Sequence, residues 1–585
     1  MSSDILIHRM DHLGLVAGIV REIGIVEYID SVIPPDPQET ITTGECVLAF
    51  IINALSFLGK PIYLFPLFFK ELDLELLLGK KNINAEELNS FKLSRALDKL
   101  YNYGLSKLFT ELSIICCKHL KINTKYNSLD TTTFSLTGEY DQGLDVNAVN
   151  VTHGYSKDHR ADLKQIVLEL ITTQEGGIPL LMQCHNGNET DSTIFRNRVK
   201  NIVDDIKKFN EEKNDSILIA DSKLYAKKTA EYLNTINFIT RIPNSINKCK
   251  DIIKEAVNST NSWSEYSKID KFKTYSLIHY DIEQRWVVVY SKAANTRAKN
   301  KIDRQIKLDC AKLTKIKNKI KKQYFTKEKE AADYINFVLD ECKYHLLDNS
   351  SIFIENKDDL FYIKNFNYSL NNQLITEDIE HGSCFVIGTN IKKSNQLQIA
   401  NQDELKLNSE NLNSILNEKA TTNNFSDHNI IYRYNQQNDA IENKGFKVLK
   451  SPVLFVSSFF VKLPRRIESL TFIMCLSLLV YSVIQLIIRR ALAQNGKIIY
   501  NQLKKPIKNP TSQWIFKLLS GIYVTSISLN KTQTKKVISG LDNYKKEILS
   551  YFGKKVLELY DIEEFTTSSI FLKNKEASNL LEKRK

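Results

Sequence analysis

The stretch YNSLDTTTFSL, Tyr126–Leu136, alternates β-branched and aromatic residues with small polar ones, which is typical of a β-strand. Two further strand-like runs follow it, DLKQIVLELITTQ at 162–174 and GIPLLMQCHNGN at 177–188. The sequence Glu175-Gly176-Gly177 between them is a strong hairpin signal. We therefore expect three consecutive strands joined by tight turns.

Helix and strand signals alternate after these three strands. A helix is predicted over 191–210, with Thr190 or Asp191 as its cap, and the apolar run SILIADSKL at 216–224 predicts a buried parallel strand. A second helix is predicted at 226–234 and a fifth strand at 237–243. The resulting order, β-β-β-α-β-α-β, is that of an RNase H-like fold, so we predict an α/β core with a mixed RNase H-like sheet.

Changes of pattern divide the rest of the chain. Apolar residues at helical spacing precede the core. After the first part of the core come a lysine-rich predicted helix (296–323) and several β-like runs. A polar stretch at 391–425 then predicts a loop. The predicted regions are a helical N-terminal domain (1–122), the first part of the core (123–245), a β-rich insertion domain (246–425), the second part of the core (426–495) and a basic helical tail (496–585).

Composition narrows the class of protein. The chain has 585 residues, and 80 Lys and Arg against 68 Asp and Glu give it a net charge of +12, which suits a polyanionic partner. The nine cysteines form no CxxC pair, so neither a zinc site nor a disulfide framework is indicated, and a reducing cytoplasm fits. No GxxxxGK sequence is present, so ATP is not implied. The apolar segment 469–488 could span a membrane by length, but its serines and Gln485 favour a buried core helix.

Two aspartates are predicted to lie on neighbouring strands of the sheet. Asp130 lies within the first strand and Asp221 at the end of the fourth, and these strands are neighbours in an RNase H-like sheet. Carboxylates held close together raise each other's pKa, and a divalent cation removes that penalty. Two such ions can activate water and stabilise the leaving oxygen of a phosphodiester. The alternative is that each Asp merely ends or caps a strand.

A third carboxylate must then come from a later helix. Glu442 is the candidate, because Lys444, Lys447 and Lys450 surround it and suit contacts with DNA phosphates. The alternative is a solvated helix face of mixed charge.

The chain resembles the insertion-sequence DDE transposases, whose RNase H-like core is split by a β-rich insertion before the catalytic Glu and which carry a Tyr-Arg-Glu-Lys signature. The resemblance covers roughly residues 1–495. It is carried by LDTT at 129–132, HGYSKDHRADLKQ at 153–165, Gly187-Asn188 with Asp191, the Ala-Asp-Ser setting of Asp221, FKVLKSP at 446–452 and LPRRIE at 463–468.

The match departs from the signature at two points. Gln437 stands where Arg is common, and the intervals from Tyr434 to Glu442 and from Glu442 to Lys450 are each one residue longer than in the signature. One extra residue turns a helical side chain by about 100°, so counting back from Lys450 places Asn443 in the catalytic position. Three outcomes stay open: a one-residue bulge in the helix, a shifted register for Glu442, or an inactive copy.

The resemblance also implies DNA-binding residues. Besides the three lysines after Glu442, these are Tyr434, Gln437, Arg160, Lys164 and Trp286. Arg160 and Lys164, with Gln165, precede the second strand and have either a DNA-facing or a structural role. Trp286 lies in the predicted insertion, where relatives use an aromatic residue to stack on an extruded base; a buried strand Trp is the alternative.

These patterns predict a transposase that holds two Mg²⁺ or Mn²⁺ ions on Asp130, Asp221 and Glu442. Its predicted partners are double-stranded DNA, as terminal inverted repeats and target, and a second copy of the chain, with no membrane and no ATP. The predicted location is the bacterial cytoplasm, at the nucleoid. One rival is a catalytically inactive DNA-binding derivative, which the register around Glu442 favours, and a weaker rival is a protein anchored in a membrane by 469–488.

Overall fold

The computed structural model of the chain describes residues 4–140, 147–207, 216–392, 425–451, 461–529 and 533–562. The chain forms two compact units. Unit 1 joins Met1–Phe238 to Arg433–Lys585, and unit 2 is Ile239–Tyr432. Unit 2 thus contains the range predicted as an insertion. Most of the loop predicted at 391–425 lies outside the described residues, as do Pro452 and the last residues of the tail.

The N-terminal part of unit 1 is almost wholly helical. A short strand, β1 (Asp4–Arg9), precedes α1 (Leu13–Ile23), α2 (Ile25–Val32), α3 (Thr43–Leu55), α4 (Phe65–Lys70), α5 (Leu74–Leu78), α6 (Ser90–Tyr103) and α7 (Leu105–His119). Apolar residues at helical spacing form the buried faces, and Thr42 with Glu45 forms a capping box that starts α3.

The core sheet of unit 1 follows. Its elements are β2 (Tyr126–Leu136), β3 (Lys164–Thr173), β4 (Pro179–His185), α8 (Asp191–Lys207), β5 (Ile217–Ala220), α9 (Lys227–Leu233) and β6 (Asn237–Ile242), which carries the chain out of unit 1. The strand order is β4-β3-β2-β5-β6, with β2 antiparallel to β3, β3 antiparallel to β4, and β2 parallel to β5. The predicted order of elements and the mixed RNase H-like sheet are therefore confirmed.

The two antiparallel connections differ from each other. The β3–β4 turn is tight, as predicted, because Gly176 and Gly177 adopt the positive φ angles of +76° and +68° that such a turn requires. The β2–β3 connection is not tight: it runs from 137 to 163 and contains most of the stretch HGYSKDHRADLKQ. The prediction of a tight turn there was wrong, since the strand pattern alone does not reveal how a long polar loop returns to the sheet.

Unit 2 combines strands with helices. Its elements are α10 (Asn247–Asn258), β7 (Ser264–Glu265), β8 (Lys271–His279), β9 (Ile282–Tyr290), α11 (Lys292–Ile320), β10 (Tyr324–Phe325), α12 (Glu328–Asp340), β11 (His345–Lys357), β12 (Leu360–Leu370), α13 (Asn372–Gly382) and β13 (Cys384–Thr389). The strands form one sheet of order β6-β13-β9-β8-β7 and a second of order β10-β12-β11.

The chain returns to unit 1 in α14 (Asp427–Gln437), which continues as a π-helix, Asn438–Phe446, and a last turn, α15 (Lys447–Leu449). The next helix, α16 (Pro464–Gln494), is long and apolar enough to cross a membrane by length and composition. It is nevertheless buried almost throughout and packs on α3, α6, α7 and β4. The packing therefore supports the core-helix alternative for 469–488.

The segment after α16 differs from the helical tail that we predicted. It contains β14 (Ile499–Tyr500), β15 (Pro506–Ile507), α17 (Ser512–Leu518), β16 (Tyr523–Leu529), β17 (Gln533–Ser539), α18 (Asn543–Ser550) and α19 (Lys554–Leu559). Strand β16 pairs with both β17 and the N-terminal strand β1, and α19 packs on α1. The N-terminal strand and helix thus fold against the segment 523–559, which local periodicity does not indicate.

Candidate active site

Asp130 and Asp221 come together on two neighbouring parallel strands, one within its strand and the other just after it. Residues 126–129 of β2 pair in register with 217–220 of β5; Asp130 is the next residue of β2, and Asp221 is the first residue after β5. In-register residues of parallel strands point to the same face of a sheet. Asp130 keeps a side-chain exposure of 25%, so an ion or a substrate can reach it. The predicted neighbourhood of these two aspartates is therefore observed.

The environment raises the pKa of both carboxyl groups. Burial raises the pKa of Asp130 to about 6; the ammonium of Lys157 and the backbone N–H of Thr131 oppose this shift, and the charge of Asp221 adds to it. Burial likewise raises the pKa of Asp221, although its carboxylate accepts a 2.9 Å hydrogen bond from the backbone N–H of Lys223. A site that raises carboxylate pKa values in this way gains from a nearby cation.

A third aspartate, Asp191, belongs to the same cluster. It is the first residue of α8, and its carboxylate accepts a 2.6 Å hydrogen bond from the hydroxyl of Thr131, the neighbour of Asp130. Burial alone would raise its pKa, but Lys157, Lys223 and the Thr131 hydroxyl outweigh burial and hold the pKa below its usual value. The sequence predicts a capping role for Asp191 and a family match in the turn after the third strand, and the second of these was the signal for a place at the site.

Two lysines neutralise this cluster. Lys157 Nζ lies 3.2 Å from Asp191 and 3.8 Å from Asp130, and it donates hydrogen bonds to the carbonyl and hydroxyl oxygens of Thr131 at 2.6 and 2.7 Å. Lys223 Nζ also binds Asp191. Sequence reasoning missed both lysines, although Lys157 lies within the stretch that carried the family resemblance and Lys223 lies two residues after Asp221.

The loop that carries Lys157 is held in place by polar contacts. Gln165 Nε2 donates to the carbonyl of Tyr155 at 3.1 Å and to that of Gly187 at 2.7 Å. Gln165 therefore ties the start of β3 to the loop and to the turn after β4, so the structure supports a structural role for it.

Arg160 and Lys164 lie beside this anchored loop. Arg160 is exposed and forms a bidentate salt bridge with Asp162, in which Nε and Nη2 donate to the two carboxylate oxygens at 2.9 and 2.8 Å. Lys164 is the half-buried first residue of β3. Neither position distinguishes a DNA contact from a structural role.

A buried ion network fixes α8 beneath the cluster. Glu169, opposite Thr131 on β3, is fully buried and binds Arg198 of α8 at 2.5 and 3.0 Å and His185 of β4 at 2.8 Å. Burial would raise the pKa of Glu169, but Arg198 and His185 outweigh it and lower the pKa. Because Asp191 begins α8, this network also sets the position of Asp191.

The helix that carries Glu442 crosses the same part of the sheet. The π-helix packs on β2 and β3, and Gln437, just before it, donates a 3.5 Å hydrogen bond to the carbonyl of Leu129. A Cβ placed on Gly445 would lie 3.4 Å from Leu170, which pairs with Asp130 across β2 and β3. The segment containing Glu442 is thus at the level of Asp130, and Glu442 itself is exposed.

The helix around Glu442 is locally widened into a π-helix. A π-helix closes hydrogen bonds from i to i+5, one residue more than an α-helix, and such segments are frequent at functional sites. The segment Asn438–Phe446 lies between Tyr434 and Lys450. The intervals from Tyr434 to Glu442 and from Glu442 to Lys450 are each one residue longer than in the signature. This local widening agrees with the predicted bulge, and it does not decide between an active and an inactive copy.

The other DNA-binding candidates of this helix have different surroundings. Gln437 is buried, Lys444 pairs with Asp439 at 2.6 Å, and Lys450 pairs with Asp158 at 2.6 Å. The remaining two candidates are the half-buried Tyr434 and the exposed Lys447. In these positions Lys447 is open to a phosphate, whereas Lys444 and Lys450 must first leave an aspartate.

Trp286 requires a correction. It is fully buried in β9 of unit 2, and its indole N–H donates a 2.8 Å hydrogen bond to Gln284 while its ring packs edge-on against His279. An indole enclosed in this way does not stack on an extruded base, so the structure supports the alternative of a buried strand Trp. The isolated aromatic in a β-like run carried no signal that separated the two.

The carboxylates have the chemistry to hold a metal ion, although they form a limited set. Asp130 and Asp221 are hard oxygen donors on one face, and Mg²⁺ is commonly held by one or two carboxylates together with water and phosphate oxygens. Within the described ranges, no group of three or more His, Cys, Asp or Glu side chains is close enough to hold an ion. The pair therefore fits one divalent ion in the presence of a phosphate ligand, while a second ion would require Glu442 to move closer.

Comparisons with known proteins give limited matches. A family model described as a domain of unknown function, DUF4277, matches residues 5–114, which precede the aspartate pair. No curated protein matches the chain. Among solved structures, it is similar to the cryo-EM structure of a piggyBac transposase synaptic complex with hairpin DNA, with 9% identity, a TM-score of 0.36 and coverage of 88% of this chain and 82% of that chain. A likeness at this level does not establish what the present chain does.

Proposed function

We propose that this chain is a DNA transposase of the DDE class, which cleaves DNA at the ends of an insertion sequence and transfers the cut strand to target DNA. The observation that carries the proposal is the pair Asp130 and Asp221, one within β2 and the other directly after its parallel neighbour β5 in an RNase H-like sheet, with the pKa of Asp130 raised to about 6. The π-helix bearing Glu442, which packs across β2 and β3, supports it.

Asp130, Asp221 and Glu442 would hold two divalent ions, Mg²⁺ or Mn²⁺. Bound ions of this kind supply activation of water and stabilisation of the leaving 3′ oxygen of a phosphodiester. In the proposed reaction, water attacks the phosphorus at the element's end, the P–O3′ bond breaks, and the departing oxygen takes a proton to become a 3′-OH. That hydroxyl then attacks a target phosphodiester in line and loses its proton, while the target's own P–O3′ bond breaks and the departing O3′ takes up a proton. The aspartates fix where the scissile phosphate binds.

Lys157 and Lys223 have a second part in this proposal. Both ammonium groups lie at the carboxylate cluster, and a cation at the aspartates would release them toward phosphate oxygens nearby. The same side chains would then balance the carboxylates before DNA binds and contact the DNA backbone afterwards.

The proposed partners are terminal inverted repeats, target DNA and a second copy of the chain in a synaptic complex. The proposed location is the bacterial cytoplasm. The helical residues 1–122 are the proposed end-binding region. This region is not tested as a fragment, because β1 pairs with β16 and α19 packs on α1. Footprinting of end DNA should therefore compare the full chain with a full-length variant altered on the exposed face of α6.

The test replaces each acid by its amide, as Asp130→Asn, Asp221→Asn and Glu442→Gln. We expect each variant to lose strand transfer and to keep its affinity for end DNA, because an amide removes the charge but little of the shape. Asp162→Asn is the matched control: this exposed aspartate lies in the neighbouring loop and pairs only locally with Arg160. Full strand transfer by Asp221→Asn would remove the proposal.

A second candidate is an inactive DNA-binding derivative of such an enzyme. The exposed position of Glu442 and the absence, among the described residues, of a three-ligand group favour it. Nicking of supercoiled plasmid separates the two candidates: the enzyme nicks in Mg²⁺ and stops in EDTA, whereas the derivative binds plasmid DNA and leaves it supercoiled under both conditions.

A further inference from the structure

The long helix α11 of unit 2 carries a straight row of basic residues. The row, which we call the basic stripe, consists of Arg297, Lys301, Arg304, Lys312, Lys315 and Lys319. At about 100° per residue these six positions fall within roughly 80° of the helix circumference, and at 1.5 Å per residue they extend over about 33 Å. All six residues are exposed.

The opposite side of α11 is fixed to the rest of unit 2. Ile302, Asp309, Leu313 and Ile320 are its buried residues there. Leu313 and Ile320 belong to a hydrophobic cluster with Ile335 of α12 and other apolar side chains of α12 and β12. The stripe therefore points to solvent from a helix that is held in place.

The charge of α11 is large and poorly compensated. The helix contains ten Lys and Arg and two Asp, a net charge of +8 out of +12 for the whole chain. Like charges spaced three or four residues apart destabilise a helix, yet the stripe repeats that spacing. Among the described residues, the ion pair made by the stripe is Lys312 with Glu341 of the loop after α12. A face that only needed solubility would gain from mixed charges, so this arrangement calls for an anionic partner.

We propose that the basic stripe binds the phosphate backbone of duplex DNA. Its length of about 33 Å is close to one helical turn of B-DNA, 34–36 Å. Single-stranded nucleic acid is held by aromatic side chains on which bases stack. The exposed large hydrophobic side chain within the basic stripe is Leu308, which is aliphatic, so the stripe fits a duplex better than a single strand. Lysine and arginine contacts to phosphate carry no sequence information, so this surface would hold flanking or target DNA of any sequence.

The test measures how DNA affinity depends on salt. The full chain is titrated with a fluorescent 30-base-pair duplex of arbitrary sequence, in EDTA, at a series of NaCl concentrations. The stripe variant is Lys301→Gln with Lys315→Gln. The matched control is Lys292→Gln with Lys299→Gln, which removes the same charge from exposed lysines on the other side of the same helix.

Each phosphate contact contributes about 0.9 to the slope of log affinity against log salt concentration. We expect the stripe variant to lose about 1.8 from that slope and to bind roughly tenfold or more weakly at 0.1 M NaCl, with the control close to wild type. Equal slopes for the stripe variant and the control would overturn the proposal. Displacement of the DNA by duplex RNA at equal concentration would overturn the choice of DNA.

This inference does not rest on catalysis. Binding is read without metal, so stripe-dependent binding by a chain that never nicks DNA would leave the stripe standing and remove the proposed enzyme. Nicking by the wild type together with unaltered binding by the stripe variant would do the reverse.

Discussion

Replacing Gly177 by alanine should separate the Glu442 segment from the sheet. Gly177 lies in the β3–β4 turn with φ at +68°, and a Cβ there would meet Cβ of Lys444 at 2.9 Å and the carbonyl oxygen of Ala440 at 3.1 Å. Both neighbours belong to the π-helix that carries Glu442, and neither is the free end of a flexible chain. The new methyl group must therefore displace that segment.

The displacement follows from contact distances. Carbon atoms settle at about 3.5–4.0 Å, so relieving a 2.9 Å contact requires a shift of roughly 0.6–1 Å. A misplacement of about 1 Å at a reacting group costs about 10²-fold in rate. If Glu442 acts in catalysis, Gly177→Ala should lower strand transfer by about 10²-fold, a much larger effect than the loss of DNA affinity caused by the shift of Lys444.

Gly176→Ala is the matched control, because it adds the same methyl group to the same turn. Its φ of +76° carries the same left-handed strain of about 1–2 kcal/mol, but its Cβ meets only Leu486 side-chain atoms at 3.3–3.4 Å. Strand transfer is measured for both variants, together with hydrogen exchange of the peptide 438–446. Equal activity and equal exchange in the two variants would show that the position of the π-helix does not matter.

Two further predictions concern stability, measured as hydrogen exchange of unit 1 peptides against urea and pH. Arg198→Met should cost about 3–5 kcal/mol by leaving the buried carboxylate of Glu169 without its main partner. In the wild type the pKa of Glu169 is lowered, so its ion pair contributes stability that is lost as pH falls below the usual pKa of Glu. In the variant, burial raises the pKa of Glu169, so the free energy of unfolding should instead decrease as pH rises above the usual pKa of Glu. A variant less stable at pH 5 than at pH 7 would contradict this reasoning. Burial lowers the pKa of His12 to about 4, so unit 1 should lose about 3 kcal/mol of stability as pH falls from about 6.5 to 4. His12→Phe should remove this pH dependence, and at neutral pH it should destabilise unit 1 because the Leu55 carbonyl loses its hydrogen-bond partner. An unchanged pH dependence in the variant would contradict the reasoning.

The core could be predicted from local pattern because each of its strands is either an alternating run rich in β-branched residues, as β2 is, or a mostly apolar run, as β5 is. Strand β2 spans the residues quoted for it, and β5 ends just before Asp221, as expected. The pairing of those two strands followed from the order of elements. The core helix predicted for 469–488 was equally clear, because a long apolar segment differs from its polar flanks.

What could not be predicted depends on distant or fine geometry. The pairing of β1 with β16 joins Ile5 to Ile527, and no local periodicity encodes a contact so far apart along the chain. The π-helix depends on which carbonyl each N–H selects, whereas side-chain patterns report only the face that is buried. The spacing around Glu442 suggested a bulge without fixing its extent, since the sheet beneath, through Leu129 and Gly177, helps to set it.

The lysines at the carboxylate cluster connect folding with the proposed chemistry. Three aspartates gathered at one sheet edge would repel one another, and Lys157 and Lys223 offset that repulsion from two different loops. Lys157 belongs to a loop and not to a strand; its side chain donates hydrogen bonds to Thr131 of β2, and Gln165 anchors the loop. A cation that can leave without unfolding a strand is suited to exchange with a metal ion or a phosphate. The carboxylates can therefore stay fixed on the sheet while the charges that balance them change, which is the property that a site of this kind needs to bind and release DNA.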